Sequence, residues 1–178
     1  HLEKGKHLHT MLVNKWINEY GYEDTAAFLE ASLGGADTFI RVNNTKISED
    51  KLIDILSVEG VDCEKTYNEN TLKISLKGHD IERLESFKNG LFHVQDISSQ
   101  LCAKAVGAQK GERVLDVCSA PGGKTFTVAQ LMENEGEIVA CDLHPKRAGL
   151  VKNGAERLGL KIVTAKANDA TVFDEKLG

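Results

Sequence analysis

The sequence predicts an α/β protein: a parallel, doubly wound sheet in its second half, preceded by a small α+β domain and a short helical segment. Three observations lead there. From residue 93 onward, β-branched apolar runs alternate with segments of helical period, the pattern of strands joined by crossover helices. The ten residues Asp116-Val117-Cys118-Ser119-Ala120-Pro121-Gly122-Gly123-Lys124-Thr125 place a glycine pair between one such run and one such helix. Residues 36–92 have another texture, with short alternating strands around a helix. The expected boundaries are 1–35 for the helical connector, 36–92 for the α+β domain and 93–178 for the parallel-sheet domain.

The first ten residues are polar and unpatterned, a lead-in without regular structure. Leu12, Val13, Trp16, Ile17 and Tyr20 then recur at helical spacing, with Gly21 as the stop. A second helix runs from about Asp24 to Leu33 and ends at Gly34-Gly35. Phe39 to Val42 reads as a strand. Ser48 is placed to cap a helix carrying Leu52, Ile53 and Leu56 on its buried side. Val61–Thr66 and Thr71–Leu76 read as a hairpin, since Leu72, Ile74 and Leu76 alternate with polar residues. Asp80 caps one short helix from Ile81 to Lys88. One face of this sheet is expected under helix, the other open to RNA or packed on a neighbour. Asp96 caps a helix from Ile97 to Val106. Then come strand Arg113–Cys118, the glycine loop and its helix, strand Glu137–Asp142, a helix from about Lys146 to Leu158, and strand Lys161–Lys166 before Asn168-Asp169.

Bulk composition excludes several classes. The chain has 178 residues and a formal net charge of −5. Residues 1–90 hold 11 basic and 16 acidic side chains, and residues 91–178 hold 11 of each, so neither half is a basic nucleic-acid platform. If RNA binds, a local patch from Arg41, Lys46 and Lys73 is the candidate. No apolar run has the length of a membrane span and no signal-peptide core is present, so the expected location is cytoplasmic. Cys63, Cys102, Cys118 and Cys141 show no paired spacing with one another or with histidine, so no metal centre or disulfide framework is expected. Nothing in the composition speaks to oligomeric state.

The chemistry concentrates where the parallel strands end. In a doubly wound sheet, ligands collect at the carboxyl edge. Three features fall there: the loop Cys118–Lys124, Asp142 closing the second strand, and Asp169 after the third. A carboxylate offers only acceptors, so Asp142 suits a pair of ribose hydroxyls and Asp169 an adenine amino group. Gly122 and Gly123 remove the Cβ atoms that would hold a ligand off the backbone. A phosphate loop of the form G-x-x-x-x-G-K-[ST] is a near miss, because Cys118 stands where its first glycine belongs. The dinucleotide spacing G-x-G-x-x-G does not occur. S-adenosylmethionine carries no phosphate and needs backbone room for its methionine end, which Ala-Pro-Gly-Gly supplies.

DVCSAPGGKT, preceded by FHVQDISSQLCAKAV and KGERVL, resembles the Nop–Sun family of RNA cytosine-5 methyltransferases, its bacterial Sun (Fmu) branch above all. FIRVNNTK and GLFHVQD resemble the same family's small RNA-binding domain. The resemblance covers most of residues 38–170. It implies a class I (Rossmann-like) methyltransferase fold, here cut after its third strand, with S-adenosylmethionine as cofactor and ribosomal RNA as partner. It also implies that Cys118, Ser119, Ala120, Pro121, Gly122, Gly123 and Lys124 line the cofactor, with Asp142 on the ribose and Asp169 on the adenine side. The family's catalytic cysteines lie in Pro-Cys and Thr-Cys dipeptides, and neither occurs here. No catalytic residue is therefore expected in this chain, and Cys118 is read as a packing residue. The expectation is a fragment of a longer enzyme, inactive alone. The readings that stay open are a non-catalytic RNA-binding module with a methyltransferase-like shell and a nucleotide-phosphate enzyme using Gly-Lys-Thr.

Overall fold

Two sheets of opposite character carry the chain, and a computed structural model describes residues 10–35, 37–78 and 80–175 of it. The first nine residues of the polar lead-in and the last three residues of the chain lie outside that range, and Thr10, expected in the lead-in, begins a helix. The chain divides into one compact unit ending at Asp37 and another beginning at Thr38. The first holds helices α1 (Thr10–Tyr20) and α2 (Tyr22–Ser32). Gly21, at φ +83°, is the single residue between them. The helix expected from Asp24 thus starts two residues earlier. Thr25 Oγ1 donates to the Gly21 carbonyl at 2.7 Å. Trp16 meets Phe28 edge-on with centroids 5.1 Å apart.

In the second unit, β1 (Thr38–Val42), α3 (Glu49–Val58), β2 (Asp62–Lys65), β3 (Thr71–Ser75), α4 (Glu85–Lys88) and β4 (Phe92–Val94) follow in order. The strands form an antiparallel sheet ordered β2-β3-β1-β4. Its apolar face, with Ile40, Val42, Leu72, Ile74 and Phe92, packs on Leu52 and Leu56 of α3. Strand β4 is absent from the sequence reading because three residues give no period to detect. The helix expected over Ile81–Lys88 is instead a 3-10 turn, Ile81–Arg83, and then α4. The chain is extended at Leu84, which turns its side chain into the core. Asp80 does accept from the Glu82 N–H at 3.1 Å. Ser48 and Asp96 stand at their N-cap positions without a side-chain capping bond.

Helix α5 (Ile97–Ala105) leads into β5 (Arg113–Asp116), α6 (Gly123–Leu131), β6 (Glu137–Asp142), α7 (Pro145–Leu158) and β7 (Val163–Ala167). All pairs are parallel in the order β5-β6-β7. Right-handed crossovers along one direction put both connecting helices on the same face. Phe126, Val128 and Ala129 of α6 and Met132 at its C-cap, with Val151, Ala155 and Leu158 of α7, pack there on Ile138 and Ala140. Leu115 and Val117, at the end of β5, are 43% and 42% exposed.

The other face of the antiparallel sheet is covered by α5 and α6, not open. Arg41, alternating with Ile40 and Val42, is 1% exposed; its Nε donates to Gln130 Oε1 at 2.9 Å and a terminal nitrogen to Gln100 Oε1 at 3.2 Å. Burial pushes its pKa down to about 10. Lys46 Nζ is spent on the Asn89 and Arg157 carbonyls. The basic patch expected from Arg41, Lys46 and Lys73 therefore does not form: its central residue is an internal strut.

Candidate cofactor site

Strand β5 ends at Asp116, two residues before the expected Cys118, because the Asp116 carboxylate turns back to tie the loop. Its Oδ1 accepts from the Cys118 N–H at 3.3 Å and its Oδ2 from the Thr125 hydroxyl at 2.6 Å. One side chain thus joins the strand end to the first turn of α6. Ser119 fixes the next strand: its N–H and its hydroxyl both donate to the Cys141 carbonyl, each at 2.8 Å. The Ala120–Pro121 peptide is cis.

The glycine pair is divided in its roles. Gly122 sits at φ +112°, and a Cβ there would lie 2.3 Å from Phe126 Cζ. Gly123 would meet only Gln95, at an ordinary 3.5 Å. Both Cβ positions therefore point at protein, not at a ligand, which corrects the reason for which the glycines were singled out. As N-cap of α6, Gly122 provides no side-chain acceptor. The first-turn N–H groups of α6 are left to the loop and to whatever binds there.

Asp142 is buried, with its side chain 6% exposed. Its Oδ2 accepts from the Ala120 N–H at 3.3 Å, and its Oδ1 lies 3.3 Å from Arg147 Nε. Arg147 also donates to the Ala120 carbonyl at 3.2 Å. It sits in the first turn of α7, where the helix dipole disfavours a cation. That conflict is the signal for Arg147 that the sequence reasoning missed; Asp116 and Thr125 stand in the stretch it singled out, but their bond to each other was not foreseen. Asp169 follows directly on Asn168, whose N–H donates to the Asp142 carbonyl at 3.0 Å. Its Oδ1 accepts from the Thr171 hydroxyl at 2.7 Å and the Thr171 N–H at 2.9 Å, and these two bonds lower its pKa. A cavity of about 640 Å³ borders it, lined by Asn168, Asp169, Val172 and Phe173 among others.

Pro121, Lys124 and Cys118 are exposed on the loop, Ser119 and Gly122 are buried, and Ala120 and Gly123 are intermediate. Cys118 is thus exposed and not the packing residue expected. The register brings Asp116, Asp142 and the residue before Asn168 to the same carboxyl edge. Three carboxylates around a backbone loop disfavour phosphate and favour hydroxyl or cationic groups. S-adenosylmethionine fits that donor set. Among the described residues, no group of three or more His, Cys, Asp and Glu side chains could hold a metal. No described helix is long and apolar enough to cross a membrane.

This fold and site define an α/β domain of the Rossmann-like methyltransferase class. Residues 103–178 match the family model described as 16S rRNA methyltransferase RsmB/F, and residues 10–78 match the ferredoxin-like domain of RsmF/B-like methyltransferases. Both matches are to domains of the RsmB/F family, and together they take in most of the chain. It is 39% identical to the probable ribosomal RNA small subunit methyltransferase B of Bacillus subtilis, over 89% of this chain and 35% of that protein. An Arabidopsis thaliana rRNA (cytosine-C(5))-methyltransferase, NOP2C, is 42% identical over 52% of this chain and 16% of its own length. Among solved structures, a methyltransferase homolog from Pyrococcus horikoshii superposes with a TM-score of 0.71 at 27% identity, over 88% of this chain and 56% of that one. NSun6 from the same organism, solved with SFG, reaches a TM-score of 0.80 over 91% of this chain and 66% of its own; at 21% identity it speaks for the fold alone. The chain spans about a third of the length of the Bacillus relative.

Proposed function

We propose that this chain carries the cofactor-binding part of an S-adenosylmethionine-dependent enzyme that forms 5-methylcytosine in ribosomal RNA, small-subunit rRNA in particular, in the cytoplasm. The observation that supports it most is the set of carboxylates, Asp116, Asp142 and Asp169, around a loop of backbone donors. Phosphate would be repelled there, which counts against the Gly-Lys-Thr reading. The names of the Bacillus and Arabidopsis relatives supply the substrate class.

In this reading Asp142 takes the ribose hydroxyls. Arg147 is mostly solvent-exposed, so releasing its ion pair with Asp142 costs little. Asp169 accepts from the adenine amino group. The backbone of Cys118 through Lys124 holds the methionine end, its carboxylate against the N-terminus of α6. When bound, the cofactor supplies an electrophilic methyl group. No cysteine here is assigned as the nucleophile: Cys118 lies on the cofactor's own loop and Cys141 is buried in β6, its thiol pKa raised by burial.

Thermal melts with two ligands test the reading. S-adenosylhomocysteine at a hundred times its Kd should stabilise the protein by about 2.7 kcal/mol, and ATP should not. Stabilisation by ATP and not by S-adenosylhomocysteine would overturn it.

A further inference from the structure

Helix α6 begins at the candidate cofactor loop, and one stripe of it faces the antiparallel sheet. Gly123, Phe126, Thr127 and Gln130 stand at i, i+3, i+4 and i+7, one side of a helix. Each meets a residue of the sheet or its continuation. Gln95, just after β4, lays its amide 3.5 Å from the Cβ position of Gly123, and its Oε1 accepts from the Thr127 hydroxyl at 2.6 Å. The His93 ring meets Phe126 edge-on with centroids 5.7 Å apart, and its Nε2 lies 3.2 Å from Gln95 Oε1. Arg41 holds Gln130 at 2.9 Å. All three sheet residues are at least nine-tenths buried. Gln95 Nε2 and His93 Nδ1 have no hydrogen-bond partner among the described residues.

An apolar filling of the same shape would cost no desolvation and leave no orphaned donor. What the polar contacts supply is direction, because a hydrogen bond fixes the rotation and axial position of α6 more tightly than aliphatic packing does. We propose that Gln95 is a positioning residue for the cofactor loop. The antiparallel sheet sets the pose of α6 and hence of residues 118–124, so cofactor affinity depends on how that sheet docks against α6. The inference rests on the cofactor reading given above.

The test is calorimetric titration of S-adenosylhomocysteine into the protein at its full natural length. Gln95→Met keeps the volume and removes the acceptor; its Kd should rise about tenfold, the net worth of one well-made hydrogen bond. Thr127→Val removes the same bond from the helix side, together with the hydroxyl's 3.1 Å bond to the Gly123 carbonyl, and should weaken binding similarly; the double variant should fall well short of the sum of the two losses. Asn43→Ala is the control. Asn43 Nδ2 donates to the Gly90 and Leu158 carbonyls, so this variant loosens the same docking at the far end of α7 and not at α6. Its Kd should stay within twofold even where its Tm falls further. If Gln95→Met does not fold, Thr127→Val carries the expectation alone. Wild-type binding with an unchanged Kd in the Thr127→Val and Gln95→Met variants overturns the positioning role. An equal loss in Asn43→Ala overturns it too, since docking in general would then be responsible. Failure of the wild-type protein to bind would instead remove the cofactor reading itself.

Discussion

Gly122→Ala should be far more damaging than Gly123→Ala, although the two residues are adjacent in the same loop. At φ +112° an L-residue is strained by about 1–2 kcal/mol. The new Cβ would also lie 2.3 Å from Phe126 Cζ, well inside van der Waals contact. The ring has no room to recoil, because a Cβ at Gly154 would lie only 2.4 Å from the same ring atom. Phe126 is wedged between two glycines. Overpacking of this kind costs about 1–3 kcal/mol, so the total is about 2–5 kcal/mol, a large part of a typical domain's stability. At Gly123 the added methyl meets Gln95 at contact distance, and helix propensity favours alanine; the change should stay within about 1 kcal/mol. Urea denaturation of both variants measures the difference. Measured against the Phe126→Leu single variant, Gly122→Ala should cost only the backbone share, because the smaller side chain removes the clash. Equal costs at the two glycines, or an undiminished cost of Gly122→Ala in the Phe126→Leu background, would refute the argument.

Three further outcomes follow from buried or exposed side chains. Burial, reinforced by the charges of Arg41 and Arg157, pushes the His93 pKa from 6.5 down to about 4. The unfolded chain then takes up a proton that the folded chain refuses, so His93 costs no stability above pH 6.5 and erodes it progressively as the pH falls to 4. Wild type should lose about 3 kcal/mol relative to His93→Phe between pH 7 and 4, and parallel pH profiles would contradict this. Arg41→Ala should cost about 3 kcal/mol, through a cavity and an unpaired Gln130 oxygen, in denaturant melts. RNA affinity measured well below that variant's unfolding midpoint should be unchanged, because the side chain is 1% exposed. Cys102 and Cys118 should react with maleimide while Cys141 resists, and S-adenosylhomocysteine should protect Cys118 but not Cys102, as read by mass spectrometry.

The sequence by itself determined the local elements and the place of the candidate site. The alternation at Leu72, Ile74 and Leu76, the glycine stops and the order of strand, loop and helix at residues 113–131 are local facts, and local periodicity records them. Asp142 and Asp169 are singled out on the same local grounds: the first closes β6 and the second stands two residues past the end of β7. Only the tertiary structure decided what covers the second face of the antiparallel sheet. It placed Arg41 inside, paired the three residues of β4 with β1, and showed that Gly122 makes room for Phe126. It also left Cys118 exposed and set Arg147 against Asp142. Each of these depends on a partner distant in the chain, as Arg41 on Gln130 or Gln95 on Thr127. A charged or amide side chain carries no mark of whether its hydrogen bonds will be made by water or by a helix ninety residues away.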